Sequence, residues 1–277
     1  MTRSGHRPGP AALVGLAIVA VNLAVPLLAP FIAPHGEAEL VGGVWEEPGA
    51  AFWLGTDNLG RDMLSRIIFG SRNTVAVAVV ITVLAFAIGI TAGFAAATLG
   101  RAIDLVLSRI VDVMMAVPVL IFALVVLTVL GTSIPALIGT IAVLESTRVF
   151  RVARAVGMDL AVLDYVEVAV LRGEGLWWIM TRELLPNAVA PLAAEFGLRF
   201  CFIFLFIAAL SFLGLGIQPP YADWGGMVRD NAPAINFGFY APLFPAAAIA
   251  LLTVGVNLVV DWLLSIAARP AGAAAEL

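Results

Sequence analysis

Residues 165–187 read YVEVAVLRGEGLWWIMTRELLPN and separate two long hydrophobic segments. This stretch contains three glutamates, two arginines and a pair of tryptophans, and it ends in Leu-Pro-Asn. Hydrophobic residues make up 62% of the chain, so a polar stretch of this length is expected to lie outside a lipid bilayer. The pattern indicates a short amphipathic helix on a membrane protein, in a position where it could contact a soluble molecule.

The rest of the chain has the composition of a membrane protein. It has 277 residues, a mean hydropathy of +1.05 and only 12% charged residues. Several uncharged runs reach the roughly 20 residues that a helix needs to cross a hydrocarbon core about 30 Å thick. A transmembrane barrel would instead show alternating segments of about ten residues. The sequence therefore predicts an all-α membrane protein, a polytopic bundle of six transmembrane helices.

Six apolar segments define these helices. We expect them at residues 11–32, 74–99, 105–130, 134–150, 188–215 and 242–265. The first is longer than the roughly 7–15 apolar residues of a signal peptide and is interpreted as an uncleaved anchor. The fourth is the least regular, because Glu145 and Arg148 interrupt it. Arg109 and Asp112, three residues apart in the third, are expected to neutralise each other on one helix face.

Arginine positions orient the predicted bundle. With the N-terminus inside, the inner side holds ten arginines, namely Arg3, Arg7, Arg101, Arg109, Arg148, Arg151, Arg154, Arg172, Arg182 and Arg269. The outer side holds four, namely Arg61, Arg66, Arg72 and Arg229. This excess agrees with the positive-inside rule, so both termini and the polar stretch are expected in the cytoplasm.

The chain is accordingly divided into four parts. Residues 1–10 form a cytoplasmic tail, and residues 11–72 form the first transmembrane helix and an extracytoplasmic segment. Residues 73–266 form the main transmembrane domain, with five helices and a cytoplasmic loop at about 157–187. Residues 267–277 form a second cytoplasmic tail.

Several kinds of chemistry are excluded or disfavoured by the residue content. All fifteen basic residues are arginine, so the chain lacks the lysine of a phosphate-binding Walker loop and cannot be its own ATPase. The two histidines, His6 and His35, have no metal-ligand spacing, and we expect no metal site. The single cysteine, Cys201, lies in an apolar run and is expected to pack. No residue set suggests general acid–base catalysis, so we expect no enzymatic activity.

The polar loop resembles the EAA loop of bacterial ABC import permeases. The matching positions are Glu167, Ala169, Gly173, Leu185 and Pro186, and the short helix is expected to end in a turn at Gly173. In that family the loop forms a coupling helix that sits in a groove of a cytosolic ATPase. The resemblance implies that the first three residues contact the ATPase and that the Leu-Pro pair anchors the loop. From the residues alone, an interfacial amphipathic helix held by Trp177 and Trp178 is the alternative.

Four other segments are similar to permeases of the dipeptide/oligopeptide/nickel import family. They are residues 53–71 (WLGTDNLGRDMLSRIIFGS), 109–118 (RIVDVMMAVP), 209–224 (ALSFLGLGIQPPYADW) and 244–261. In the first, the residues alone would also fit a helix capped by Asp57 or Asn58, with Arg61 and Asp62 as surface charges. The similarity covers most of residues 53–262 in family order, and the chain is identified as a "C"-type permease subunit of this family.

This resemblance implies a function and a set of partners. The chain is expected to be the channel-forming subunit of an ATP-driven ABC importer for peptides or a related small solute in the bacterial inner membrane. Expected partners are a second homologous permease, two cytoplasmic ABC ATPases, an extracytoplasmic substrate-binding protein and membrane lipid, but no nucleic acid. No cofactor is expected in this chain, since the partner subunits bind ATP.

Two departures from the family leave alternatives open. Glu195 and Arg199 lie within the fifth predicted helix, where the family is usually uncharged, and their spacing favours a salt bridge. They are candidates for the translocation pathway or for a packed structural pair. Val168 replaces the usual alanine. The alternatives for function are import of nickel, opines or glutathione, or an ion-coupled secondary transporter that would also use Asp112 and Asp261.

Overall fold

The computed structural model describes residues 9–267. Residues 1–8 and 268–277 lie outside the described residues. The predicted tails and three of the arginines used for orientation, Arg3, Arg7 and Arg269, therefore belong to the part of the chain that is not described.

Helices joined by turns and loops make up the described chain, which contains no β-strand between residues 9 and 267. In chain order they are α1 (Pro10–Ile32), α2 (Met63–Thr98), α3 (Arg101–Ala116), α4 (Val119–Leu130), α5 (Ile134–Ala161), α6 (Asp164–Leu171), α7 (Leu176–Trp178), α8 (Leu185–Phe212), α9 (Trp224–Asn231) and α10 (Leu243–Ala267). A π-helical segment, Ile179–Leu184, joins α7 to α8, and a 3-10 helix, Ala232–Phe237, follows α9.

Four stretches of helix are long and apolar enough to cross a membrane. They are α1, α2, the continuous helix Leu176–Phe212 and α10. The pair α3 and α4 adds a fifth if its two parts form one broken span. The remaining predicted span is the fourth in chain order and corresponds to α5. This helix has 28 residues and a length of about 42 Å, but it carries several charged residues along its length. Its length is sufficient to cross a membrane, and its charged residues distinguish it from the four apolar stretches.

The bundle has two different ends. At one end, residues 33–62 contact the segment that joins α8 to α10, through hydrogen bonds such as Trp45 Nε1 to Asn231 Oδ1 (3.1 Å). We call this the network end. At the opposite end, α6 and the turn after it connect α5 to the helix that begins at Leu176. We call this the loop end. The connection between α2 and α3 also lies at the loop end, where Asp104 pairs with Arg154 of α5. The connections predicted on the inner side of the membrane thus lie at the same end of the bundle.

Helix α2 begins at Met63, well before the predicted start at residue 74. The Asp62 side chain caps it by accepting a hydrogen bond from the Ser65 backbone N–H (2.9 Å). The alternative interpretation of this segment, in which Asp57 or Asn58 caps the helix, is therefore wrong. Polar residues of the first turns, including Ser65 and Arg66, are buried at the network end. The sequence pattern placed them in a loop because it does not show that burial.

The third predicted helix is broken. Helices α3 and α4 meet at an angle of 88° around Val117 and Pro118. Proline has no backbone N–H to donate to the preceding turn, and it drives the residue before it towards extended backbone. Val117 has φ −92° and ψ 133°, as this restriction requires. A single continuous helix over residues 105–130 was therefore the wrong prediction.

The expected pairing of Arg109 with Asp112 is also replaced by another contact. The Asp112 carboxylate accepts a hydrogen bond from Arg151 Nη2 on α5 (2.9 Å). About two helical turns earlier, Asp104 accepts from Arg154 Nη2 (2.7 Å). The polar side of α3 therefore faces the arginines of α5, and a tertiary contact replaces the local one.

Glycines allow the long helices to approach closely. A Cβ on Gly93 of α2 would lie 2.7 Å from the Cβ of Ala153 on α5, and one on Gly89 would lie 2.6 Å from Val149 Cβ. In the same way, a Cβ on Gly255 of α10 would lie 2.5 Å from Ile18 Cγ2 on α1. Small residues at such crossings let helix backbones pack tightly inside a membrane. Helix α5 was predicted to end at residue 150. It continues to Ala161, and the residues beyond 150 include Ala153, which packs against Gly93 of α2.

Candidate functional site

Helix α6 is a short amphipathic helix at the loop end. It begins after Leu163, and Asp164 and Glu167 lie in its first turn, where carboxylates interact favourably with the helix dipole. Val166 and Ala169, three residues apart, point inward and are 3% and 0% exposed. They pack against Ile179 of the π-helical segment and its buried neighbours. The helix is therefore fixed to the bundle by one narrow apolar face.

The opposite face of α6 combines a carboxylate with apolar side chains in contact with solvent. Glu167 is exposed, and Val168 and Leu171 are 52% and 78% exposed. Val162, just before the helix, is 80% exposed. Exposed apolar surface of this kind on a polar loop is typical of a contact site for another molecule. The loop end thus presents a mixed acidic and apolar surface on a firmly anchored helix.

Gly173 ends α6 in a left-handed turn. Its φ is +79°, a conformation in which a side chain would be strained. The Gly173 N–H donates to the Val170 carbonyl (2.9 Å), and the Glu174 N–H donates to the Ala169 carbonyl (3.2 Å). These bonds satisfy carbonyls at the helix end, as in other glycine caps. The turn predicted at Gly173 is confirmed by this geometry.

The chain returns to the bundle as one continuous helix. It runs from Leu176 through the π-helical segment Ile179–Leu184 into α8, so the predicted start at residue 188 is wrong. Leu185 is half-buried and Pro186 is exposed at the beginning of α8. Since a proline cannot donate the hydrogen bond that closes the preceding turn, the wider turns just before Pro186 are a physical consequence.

One arginine links the two arms of the loop. The Arg172 guanidinium lies 3.9 Å from the Glu183 carboxylate and 5.5 Å from the centre of the Trp178 ring. The arginine side chain is 55% exposed, so solvent screens the pair and its contribution is small. Trp178 is half-buried and Trp177 is exposed, so only one of the paired tryptophans packs in the loop.

A second group of charges lies deep between α5 and α8. Arg199 Nε is 2.7 Å from Glu195 Oε1, which confirms the predicted salt bridge. Arg199 Nη1 also lies 3.6 Å from Glu145 Oε2, and the guanidinium covers the Phe202 ring at 4.8 Å. Glu145 and Arg199 are both buried. In the sequence, Glu145 is visible only as an interruption of a predicted helix, although it is the third member of this cluster.

At the network end, Asp57 is the centre of a buried ion cluster. Its carboxylate lies 2.7 Å from Arg61 Nε and 3.2 Å from Arg66 Nε, and it accepts the backbone N–H of Leu59 (2.8 Å). Asp57, Arg61 and Asp62 are all buried. The alternative interpretation, in which Arg61 and Asp62 are ordinary surface charges, is therefore wrong.

Two of the segments that carried the family resemblance contact each other there. Trp224 is fully buried and donates from Nε1 to the Ile67 carbonyl (2.9 Å). Asp223 accepts from the Thr74 hydroxyl (2.9 Å) and from the Gly226 N–H (2.8 Å). Burial raises the pKa of the Asp223 carboxyl, and these hydrogen bonds oppose the rise. Their polar residues therefore build one interior network, which spacing along the chain could not reveal.

No group of three His, Cys, Asp or Glu side chains that could hold a metal ion occurs within residues 9–267. Cys201 is buried in the main apolar core and carries no disulfide. What the described side chains assemble is therefore a contact surface at the loop end and buried ion clusters within the bundle.

Comparison with known proteins relates this architecture to a family. A family model described as "Binding-protein-dependent transport system inner membrane component" matches residues 88–270. The dipeptide transport system permease protein of Alkalihalophilus pseudofirmus is 33% identical over 253 residues, which cover 91% of this chain and 83% of the relative. The di/tripeptide transport system permease protein of Pseudomonas aeruginosa is 34% identical over 265 residues, covering 93% and 87%.

Two further matches extend this result. The glutathione transport system permease protein of Pectobacterium atrosepticum is 33% identical over 218 residues, which cover 79% of this chain and 72% of the relative. A crystal structure of an amino acid ABC transporter with histidines has a TM-score of 0.52 at 19% identity, covering 71% of this chain and 91% of that chain. The second match supports the fold alone. Taken together, the matches show that this chain is a membrane transport protein rather than an enzyme, and that it belongs to the family of inner membrane components of binding-protein-dependent transport systems.

Proposed function

We propose that the chain is the channel-forming permease subunit of an ATP-driven importer that carries peptides across the inner membrane. The observation that carries this proposal is the anchored helix α6, which presents Glu167 and apolar side chains to solvent between two long helices. The relatives named above are named for dipeptides, di/tripeptides and glutathione, which are all peptides. Family membership favours this function over an ion-coupled secondary transporter.

The proposed topology has six spans, with both termini in the cytoplasm. The spans are α1, α2, the bent pair α3–α4, α5, the continuous helix Leu176–Phe212 and α10. The charged residues of α5 fit this topology because Arg151 and Arg154 are paired with carboxylates of α3. The loop end is then cytoplasmic and the network end extracytoplasmic. The four-part division stays a proposal, although its boundary at residue 72 falls inside α2, which begins at Met63.

At the loop end, α6 is proposed to transmit the movement of an ATPase to the membrane helices. Glu167 and Gly173 are exposed and are assigned to the contact, together with Val168 and Leu171. Ala169 is fully buried, so it is assigned to anchoring the helix rather than to touching the ATPase. Leu185 and Pro186 connect this anchor to α8. A movement of α6 would reach α8 through the packing of Val166 and Ala169 against the start of the continuous helix Leu176–Phe212.

The partners follow from this assignment. We propose a second homologous permease that completes the channel, two cytoplasmic ATPases that bind the ATP, and an extracytoplasmic binding protein that delivers the peptide. The lysine-free composition supports the division of labour, because this chain has no residue for the Walker loop. The exposed apolar faces of α1 and α4 are available for lipid and for the second permease.

The buried cluster of Glu145, Glu195 and Arg199 is proposed to border the translocation pathway. It connects α5 with α8, the two helices that flank the loop, so a relative movement of these helices would separate its charges. Arg148, whose side chain is 46% exposed, and the exposed Phe202 lie on its solvent side. In this conformation the charges of the cluster contact one another. A role in the pathway requires that these contacts separate during transport.

The test combines partner capture with transport. The chain is purified from gently solubilised native membranes, and bound proteins are identified by mass spectrometry. A second permease and ATPases are the expected partners. The Glu167→Arg variant should retain membrane insertion but lose ATP-dependent dipeptide uptake, because the proposed contact becomes repulsive. Glu39→Arg makes the same charge change on the exposed surface of the network end and serves as the matched control. Normal uptake by Glu167→Arg would contradict the coupling assignment.

A further inference from the structure

An aromatic cavity at the network end is not used by the proposed transport mechanism. Its volume is about 230 Å³, and it lies between residues 45–56 and residues 238–244. Four aromatic rings contribute to its wall, those of Trp45, Phe239, Tyr240 and Phe244. An engineered cavity of about 150 Å³ is enough to hold a benzene molecule. This cavity therefore has room for a small organic group together with part of the chain that carries it.

Two carboxylates line the same cavity. Glu46 and Glu47 are both exposed, and neither forms an ion pair with an arginine or histidine of the described residues. The Glu46 carboxylate accepts one hydrogen bond, from the Gly43 backbone N–H. The arginines that pair nearby are already engaged, Arg61 and Arg66 with Asp57 and Arg229 with Asp230. The cavity thus combines two carboxylates that have no counter-ion among residues 9–267 with four aromatic side chains.

Trp45 forms a fixed wall of this cavity. Its φ of +52° is unusual for a bulky residue and costs roughly 1–2 kcal/mol. Tertiary contacts hold it there: Nε1 donates to Asn231 Oδ1 (3.1 Å), and the ring stacks on Phe237 with centres 5.7 Å apart. Strained residues that are held by their surroundings occur frequently in ligand clamps. The ring is therefore in position before any ligand arrives.

We propose that this cavity is a binding site for an organic cation, an alkylammonium or guanidinium group. Aromatic rings attract such a group through their negative faces, and the two carboxylates supply the opposite charge. A neutral or anionic group would gain neither interaction. The proposal does not depend on the transported solute or on the ATPase contact. In the proposed orientation the network end is extracytoplasmic, so the cation would reach the cavity from outside the cell.

The test measures binding of a defined probe to the full chain in lipid nanodiscs. Tryptophan is replaced by 5-fluorotryptophan, and the Trp45 resonance is assigned with the Trp45→Phe variant. The probe is N-acetyl-arginine amide, and N-acetyl-citrulline amide is its neutral isostere. The arginine probe should shift the Trp45 resonance to saturation, and the neutral isostere should not. The double variant Glu46→Gln/Glu47→Gln should weaken the apparent affinity roughly fivefold or more.

Glu39→Gln removes an exposed carboxylate at the network end outside the cavity and should leave the titration unchanged. The concentration at saturation distinguishes two sources of the cation. Saturation below about 100 µM indicates a free solute, and saturation only in the millimolar range indicates a basic side chain of a larger ligand that adds further contacts. The proposal is overturned if the Trp45 resonance does not move, if both probes move it equally, or if the double variant binds like the unchanged chain.

Discussion

Arg199 Nη1 on α8 lies 3.6 Å from Glu145 Oε2 on α5, and this contact joins the two helices that flank the loop. Arg199 also pairs with Glu195 at 2.7 Å, so one buried guanidinium is shared by two carboxylates. Removing it would leave Glu195 without its counter-charge and Glu145 with only the more distant Arg148 (3.9 Å). The cost of a buried charge without a partner exceeds that of most substitutions.

Arg199→Gln is therefore expected to lower the free energy of unfolding by about 3–5 kcal/mol. The matched control is Arg151→Gln, which removes an arginine from a pair whose side chains are about half exposed. That control should cost less than about 1 kcal/mol. The measurement is thermal unfolding of both purified variants in the same detergent. Equal unfolding midpoints for the two variants would show that the buried Arg199 cluster contributes no more to stability than the half-exposed Arg151 pair.

Transport tests the pathway role of the same cluster separately. The double variant Glu195→Gln/Arg199→Gln removes both charges of the close pair. At position 195 it also keeps the side-chain volume. If the cluster borders the pathway, its dipeptide uptake or its preference among dipeptides should change, even after correction for the amount of protein in the membrane. Uptake and preference like those of the unchanged chain would remove this pair from the pathway and leave a structural role.

The contact between α2 and α5 can be tested at one glycine. A Cβ on Gly93 would meet the Cβ of Ala153 at 2.7 Å and the Arg154 backbone N at 2.8 Å, so Gly93→Ala should cost about 1–3 kcal/mol. Gly139→Ala is the control, because no atom of the described chain lies within 4 Å of its added methyl group. It should be neutral or slightly stabilising, since alanine is the better helix former. Both are compared by thermal unfolding, and a loss of stability in the control alone would contradict this packing.

The left-handed turn after α6 provides another matched pair. Gly173 has φ +79° and Gly175 has φ −72°, and an added methyl group meets no neighbour at either position. Gly173→Ala should therefore strain the turn by roughly 1–2 kcal/mol, while Gly175→Ala should not. Hydrogen exchange of the Gly173 and Glu174 amides is expected to accelerate in the first variant. The same exchange rates in both variants would argue against a left-handed cap at this position.

The sequence predicted the apolar helices α1 and α10 well, because α1 carries no charge and only Asp261, near the end of α10, interrupts the apolar pattern. It placed the start of α2 too late, since Ser65 and Arg66 look like loop residues and are in fact buried against Asp57. The bend at Pro118 had a visible signal in the proline itself, but hydrophobicity alone does not report an angle.

Ion pairs between different helices were the feature that the sequence predicted least well. Spacing of three or four residues identified Glu195 with Arg199 correctly, and the same rule failed for Asp112, whose partner Arg151 is on another helix. Within the loop, the sequence located the acid and the glycine turn. It did not show that Ala169 faces inward, because the choice of buried face depends on the π-helical segment packed against α6. Contacts between distant segments set these features.

The central claim, that the exposed face of α6 contacts an ATPase, is tested most directly by site-specific cross-linking. In a Cys201→Ala background, Val168→Cys places a thiol on the exposed face and Val166→Cys places one on the buried face of the same helix. Each thiol is labelled with a photoactivatable cross-linker in native membranes, and captured proteins are identified by mass spectrometry. The account predicts that the Val168→Cys variant captures an ABC ATPase and that the Val166→Cys variant captures little or none. Equal capture at both positions, or no ATPase captured from the exposed position in a complex that still transports, would contradict it.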